Sequence, residues 1–281
     1  MKSITTQTIR KKKLKNEIIT MLTAYDYPTA LILDEAGIDI TLVGDSLGMV
    51  VLGYENTTQV TMEDMLHHVK AVTRGSKHPL VVADLPFLSY HTGIYKTVKN
   101  AGRLIQEGKA NAVKLEGGKE VTEQIQAIIN AGIPVMGHIG LTPQSINQLG
   151  GYYIQGKTDE QAKKLLADAK ALEEAGAFAI VLECIPTELS KLITENIEIP
   201  TIGIGAGPHC NGQVLVTHDI LNLYSNKTPK FAKKYTDVHG EIMQAALDYI
   251  QDVKHKNFPS TEHVFHLKQD VIDSIYGGDK L

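Results

Sequence analysis

Short apolar runs that stop at a charged residue recur along this chain, and they restrict its fold more than any other feature. Thr41-Leu42-Val43-Gly44 ends at Asp45-Ser46. Leu80-Val81-Val82-Ala83 ends at Asp84, Ala112-Val113 at Lys114-Leu115-Glu116, and Ala179-Ile180-Val181-Leu182 at Glu183. Short β-branched runs bounded by turn residues read as buried parallel strands. Acids closing several of them in turn place side chains on the carboxyl-end face of a parallel sheet, where α/β folds keep their chemistry.

The spacing predicts strands at 18–24, 40–44, 80–83, 112–115, 135–139, 179–182, 201–204 and 214–216. Helical patterns cover 28–36, 61–74, 93–107, 120–131, 159–175, 187–196 and 238–254. Pro28 suits a first helical turn and Gly37 a helix stop. Thr61 before Glu63 and Asp64 reads as an N-cap with acids in the first turn. The stretches 47–60 and 141–158 have no clear period and read as loops. Strand and helix alternating over 281 residues predict an α/β fold, a single-domain (β/α)8 TIM barrel. A doubly wound open sheet is the other candidate, but no GxGxxG opens a helix near the start. The barrel domain is expected over 1–266 with an N-terminal helical arm, and 267–281 as a C-terminal extension that frays or docks on a neighbour.

Composition removes several classes. A net charge of -4 gives no electrostatic reason to bind nucleic acid. No apolar run approaches a membrane span. Two cysteines, Cys184 and Cys210, without a CxxC pair, fit a reducing compartment, and a cytoplasmic location is expected. Residues 1–16 hold one acid-free basic run, Arg10-Lys11-Lys12-Lys13-Leu14-Lys15, of the kind seen in transit peptides. The first strand follows almost at once, which favours a solvated helix or arm.

Asp45, Asp84 and Glu116 would end strands two, three and four, side by side in a barrel. Crowded carboxylates repel unless a proton or cation separates them, and a hard ion such as Mg²⁺ takes oxygen ligands. Taken singly, each acid also reads as a helix or turn cap. Lys114 and Glu116 share a strand face. Lys114 there can be a Schiff-base nucleophile, an anion clamp or an ion-pair partner. Glu183 leaves an apolar run, which suits a poorly solvated general base, but an acid before Pro186 also suits a helix start. Cys184 reads as core, with no base paired to it. Gly203-Ile204-Gly205-Ala206-Gly207 suits either a backbone anion cradle or close packing. His138 ends strand five and can donate to a substrate. His67 and His68 read as surface or interface residues, and His209-Cys210 is too sparse for a metal site.

Several runs also resemble those of one family. They are Thr23-Ala24-Tyr25-Asp26, Leu42-Val43-Gly44-Asp45-Ser46-Leu47-Gly48, Ala83-Asp84-Leu85-Pro86-Phe87 and Val113-Lys114-Leu115-Glu116-Gly117-Gly118. Gly137-His138-Ile139-Gly140-Leu141-Thr142-Pro143-Gln144-Ser145, Leu182-Glu183-Cys184-Ile185-Pro186 and Ile202-Gly203-Ile204-Gly205-Ala206-Gly207 continue the match. In order, from residue 3 to about 266, the chain resembles the ketopantoate hydroxymethyltransferase family. Asn211 stands where that family usually has Asp, and Val264 where it usually has Ser.

The resemblance implies a (β/α)8 barrel, Mg²⁺, and a large homo-oligomer, a decamer. It implies transfer of a hydroxymethyl group from 5,10-methylenetetrahydrofolate to 3-methyl-2-oxobutanoate, through a Mg-stabilised enolate, on the way to pantothenate. By the same resemblance Asp45, Asp84 and Glu116 bind the metal. Asp45, Ser46, Asp84 and Lys114 contact the 2-oxo acid, and Glu183 accepts the proton. Two rival readings are a Mg²⁺-dependent C–C lyase of the phosphoenolpyruvate mutase/isocitrate lyase type, which would use a similar acid quadrant, and a catalytically silent barrel that binds a metabolite or scaffolds an assembly, against which the intact Asp45, Asp84, Lys114, Glu116 and Glu183 argue.

Overall fold

The computed structural model describes residues 2–224 and 229–276. Its strands are β1 (Ile19–Thr23), β2 (Ile40–Val43), β3 (Leu80–Asp84), β4 (Ala112–Lys114), β5 (Val135–Gly140), β6 (Ala179–Glu183), β7 (Thr201–Ile204) and β8 (Gly212–Leu215). Each pairs in parallel with the next, and β8 returns to β1 to close the barrel. The helices are α1 (Thr6–Leu14), α2 (Tyr27–Ala36), α3 (Leu47–Val50), α4 (Met62–Gly75), α5 (Ile94–Gln106) and α6 (Thr122–Asn130). After them come α7 (Ile146–Leu149), α8 (Asp159–Glu174), α9 (Thr187–Asn196), α10 (Thr217–Ile220), α11 (Val238–Lys254) and α12 (Gln269–Tyr276).

Caps behave as the sequence suggests. Thr61 and Asp64 form a reciprocal capping box at α4, and Asp26 caps α2 ahead of Pro28. Gly37 ends α2 at φ +80°, a left-handed conformation that glycine adopts at no steric cost.

The two strand faces sort into two cores. Ile19, Met21, Ile40, Leu42, Leu80, Val82, Ala112, Met136, Val181, Ile202 and Val214 form one buried cluster, the barrel interior. Val43, Val81, Ala83, Val113, Leu115, Val135, Ile180 and Leu182 face the surrounding helices. Because side chains alternate along a strand, inward parity continues from Leu80 and Val82 to Asp84. It continues likewise from Ala112 to Lys114 and Glu116, from Met136 to His138, and from Ala179 and Val181 to Glu183.

The N-terminal arm is not simply solvated. Ile9 of α1 is fully buried and belongs to the interior cluster, so α1 stops the amino-end mouth of the barrel. Two of its lysines are structural. Lys12 pairs with Asp39 at 2.5 Å, and Lys13 Nζ donates to the carbonyls of Thr194, Ile197 and Ile199 at 2.7–3.1 Å. The open barrel end, with Ile19 and Leu80 beneath it, gains from any apolar lid, and Ile9 supplies it. Truncating Ile9→Ala is expected to destabilise the protein by about 2–4 kcal/mol. Urea unfolding checks this, and a shift under about 0.5 kcal/mol would return α1 to the status of a solvated arm.

Other departures are local. The 47–60 segment contains α3 and a 3-10 turn at Thr57–Gln59, and 141–158 contains a 3-10 turn at Pro143–Ser145 and α7. β8 begins two residues earlier than the apolar run suggests, because Gly212 and Gln213 pair with both β1 and β7. α11 forms over the expected span, but none of its residues is buried, and Ile242, Met243, Leu247 and Ile250 stay exposed. The extension after 266 carries α12, and residues 277–281 lie outside the described residues.

Candidate active site

At the carboxyl-end mouth, strand register brings the inward polar residues into contact. Asp84 and Lys114 are register partners, and Lys114 Nζ lies 2.7 Å from Asp84 Oδ1. Asp45 follows the end of β2, and its backbone N–H donates to Asp84 Oδ2 at 3.1 Å. Gly44 lies between. A Cβ there would come within 2.9 Å of Ser46 Oγ and 3.5 Å of Asp84 Oδ2, so glycine keeps that space open. Ser46 Oγ shares a hydrogen bond with Tyr25 Oη at 2.8 Å, and Tyr25 is buried. His68, read from the sequence as a surface or interface residue, is half-buried and backs this pair through its Nδ1, 2.6 Å from Tyr25 O.

Asp45, Asp84, Lys114, Glu116 and His138 are all at most 5% exposed. Burial, and then the negative charge of Asp84, push the Asp45 carboxyl up to about 7. Burial and Asp45 hold Glu116 well above the carboxylate range. Burial alone would lower Lys114, but Asp84, Glu116 and Asp45 outweigh it and move the lysine above its ordinary value. A lysine held protonated is a poor imine-forming nucleophile and a good anion clamp.

His138 joins the two halves of the site. Its Nδ1 is 3.4 Å from Lys114 Nζ and 3.5 Å from Glu116 Oε1, and its Nε2 is 3.3 Å from Glu183 Oε2. An ammonium only donates, so a neutral imidazole that takes the Lys114 contact accepts it at Nδ1 and carries its proton on Nε2, the nitrogen toward Glu183. Nε2 satisfies distance to Glu183 but makes no well-aligned hydrogen bond.

Glu183 faces inward, and its side chain is 15% exposed, somewhat more open than the acids that follow β2, β3 and β4. Its neighbour Cys184 turns the chain at φ +47°, with its N–H on Ile204 O and its C=O on Gln155 N. Cys184 is half-buried rather than core, and burial and Glu183 push its thiol up to about 12, which leaves it unreactive.

The sequence pattern missed Gln144, which bridges the carboxylates. Its Nε2 donates to Asp45 Oδ2 at 2.8 Å, and its backbone N–H donates to Glu116 Oε2 at 3.0 Å. It lies in the 3-10 turn at Pro143–Ser145, and the available clues were the Thr142-Pro143 helix-start signal and its place in the family-like run from Gly137 to Ser145.

The residues fit a hard divalent cation. Asp45 and Asp84 are adjacent buried oxygen donors whose mutual repulsion a cation relieves. Among the described residues no three His, Cys, Asp or Glu side chains form a ready metal cage. Two carboxylates completed by water and substrate oxygens is a usual arrangement for Mg²⁺.

The glycine-rich loop after β7 is close-packed. A Cβ on Gly207 would fall 2.0 Å from Thr187 Oγ1, and one on Gly203 3.0 Å from Cys210 Sγ. A cavity of about 460 Å³ beside it, lined by Ile18, Gly205, Gln213 and Phe231, holds none of the site's acids or bases. Asn211 lies at the opposite barrel end, where its Oδ1 accepts from Thr201 N at 3.1 Å. An amide oxygen serves there as a carboxylate would. Val264 is exposed.

Comparison with known proteins follows the same lines. The phosphonopyruvate hydrolase structure solved with oxalate and Mg²⁺ superposes with TM-score 0.62 over 98% of this chain and 95% of that one, at 12% identity. A 2,3-dimethylmalate lyase, described as a phosphoenolpyruvate mutase/isocitrate lyase superfamily member, gives 0.60 over 97% and 94%, at 16% identity. Identity this low speaks for the fold alone. Sequence relatives are much nearer. The 3-methyl-2-oxobutanoate hydroxymethyltransferase of Enterococcus faecalis is 60% identical over 97% of this chain and 99% of its own. That of Carboxydothermus hydrogenoformans is 56% identical over 98% and 100%. The family model for ketopantoate hydroxymethyltransferase matches residues 3–261, and the chain belongs to that family.

Proposed function

We propose that this enzyme transfers the hydroxymethyl group of 5,10-methylenetetrahydrofolate to 3-methyl-2-oxobutanoate, giving 2-dehydropantoate and tetrahydrofolate with consumption of one water. The observation that carries the reading is the Asp45–Asp84–Lys114 cluster with Glu183 facing the same barrel mouth. Family membership supplies the substrates.

In this reading Asp45 and Asp84 hold Mg²⁺, and Glu116 is the third carboxylate of the set. In the structure the Glu116 oxygens face Gln144 N–H and His138. A bound Mg²⁺ would supply positive charge against the carboxylate and keto oxygens of the 2-oxo acid. Lys114, kept protonated by its acidic neighbours, offsets the substrate carboxylate. Ser46 donates to the substrate, its hydroxyl oriented by Tyr25. Glu183 takes the proton from C3, which the adjacent keto group acidifies. The C3 carbon then forms its new bond to the folate methylene as one of that carbon's two bonds to nitrogen opens, and water displaces the second nitrogen to leave the hydroxymethyl product and tetrahydrofolate. His138 Nε2 lies 3.3 Å from Glu183 Oε2, beside the base. Partial exposure suits Glu183, since the base must exchange its proton with solvent after each turnover.

The working unit is proposed to be one domain over 1–266, with 267–281 as an appendage. We place it in the cytoplasm as a large homo-oligomer, a decamer. No described helix is long and apolar enough to cross a membrane, and the bare apolar face of α11 supports assembly.

The test is a product assay with 3-methyl-2-oxobutanoate and 5,10-methylenetetrahydrofolate, with Mg²⁺ and with EDTA. Dehydropantoate should form with the metal and not with the chelator. Cleavage of 2-methylisocitrate with no folate-dependent condensation would favour the lyase reading instead.

A further inference from the structure

Gln144 is 3% exposed, and every polar atom of its side chain is engaged. Nε2 meets Asp45 Oδ2 and, at 2.9 Å, the carbonyl of Leu85. Oε1 accepts from Tyr90 Oη at 2.7 Å. Tyr90 is itself 1% exposed, and its oxygen accepts from Glu116 N at 3.3 Å.

The amide orientation follows from chemistry. A backbone carbonyl only accepts, so the atom facing Leu85 O must be the NH₂. That choice commits the second N–H to Asp45 Oδ2 and turns the amide oxygen to Tyr90. The backbone N–H of the same residue holds Glu116 Oε2. One residue therefore uses up one named oxygen on each of two buried carboxylates. Asp45 Oδ1 accepts no hydrogen bond among the described residues.

We propose that Gln144 is a positioning residue for the divalent cation. It fixes Asp45 through Oδ2 so that Oδ1 is presented beside Asp84, and it anchors Glu116 in the same stroke. The inference rests on the Mg²⁺ reading above. Asp45 and Asp84 repel each other, and an unanchored Asp45 would turn away. A neutral amide donor holds it without adding a charge that would compete with the cation. Polar partners of metal-binding side chains typically control about 10–100-fold in metal affinity. A residue that merely filled the core would change folding stability and leave that affinity alone.

The experiment titrates Mn²⁺, as a paramagnetic substitute for Mg²⁺, into the substrate-free full-length protein and reads bound metal by EPR. Wild-type binding is the first requirement, and its absence overturns the metal reading together with this inference. Given that binding, Gln144→Leu is expected to weaken Mn²⁺ affinity about 10–100-fold. Gln144→Glu, which sets a carboxylate against Leu85 O and Asp45, should weaken it as much. Wild-type affinity in either folded variant overturns the proposal while leaving the metal reading intact. If both variants lose their fold, Tyr90→Phe decides. It keeps Gln144 but removes the hydroxyl that locks the far end of the amide. A severalfold weaker affinity supports positioning, and an unchanged one overturns it.

Discussion

Replacing Asp84 with asparagine is expected to lower Mg²⁺-dependent product formation by more than about 10²-fold at metal concentrations that saturate the wild type. Asparagine keeps the shape and an acceptor for Lys114 but loses the charge that a divalent cation needs. Alanine is the poorer choice. Asp84 is 2% exposed and pairs with an almost equally buried ammonium, so its removal would strand Lys114 at a cost of about 3–5 kcal/mol. Activity lost in Asp84→Ala would then confuse folding with metal binding. A position at the barrel mouth suggests a solvated residue, and burial is what changes the design of the test. Full activity of the wild type in EDTA would sink the metal assignment.

Glu183→Gln is expected to cost about 10² to 10⁴ in rate, the usual loss for a positioned base. Glutamine fills the same space at the end of β6 and can still meet His138 Nε2 through its amide oxygen. It cannot accept the C3 proton. Substrate and metal binding should survive, because neither Asp45 nor Asp84 forms a hydrogen bond to Glu183 among the described residues. A kcat loss with little change in KM is the expected pattern, measured by steady-state kinetics.

What was legible in the sequence is what strand parity controls. Asp84, Lys114, Glu116, His138 and Glu183 each continue an inward row of apolar residues, and each lies where that row predicts. Asp45 and Ser46 stand just past the end of β2, and only the glycine before them hints that the chain folds back over the mouth. Gln144 escaped because its neighbours have no period. A 3-10 turn inside a long connection gives no sign of which side chain turns inward. The role of α1 escaped for a related reason. Ile9 is one apolar residue before a basic run, and helical amphipathy cannot register a plug made by a single side chain. For α11 the helix was legible and its burial was not, since an apolar stripe says that a face is to be covered but not by what.

The most direct test of the central claim is hydrogen exchange at C3, because it isolates proton removal from folate chemistry. The enzyme, Mg²⁺ and 3-methyl-2-oxobutanoate are incubated in deuterated water without folate, and loss of the C3 proton signal is followed by NMR. The account predicts exchange catalysed by the wild type, abolished by EDTA, and reduced about 10²-fold or more in Glu183→Gln. Exchange at the wild-type rate in Glu183→Gln would contradict it and pass the role of base to another group, with His138 the next to test.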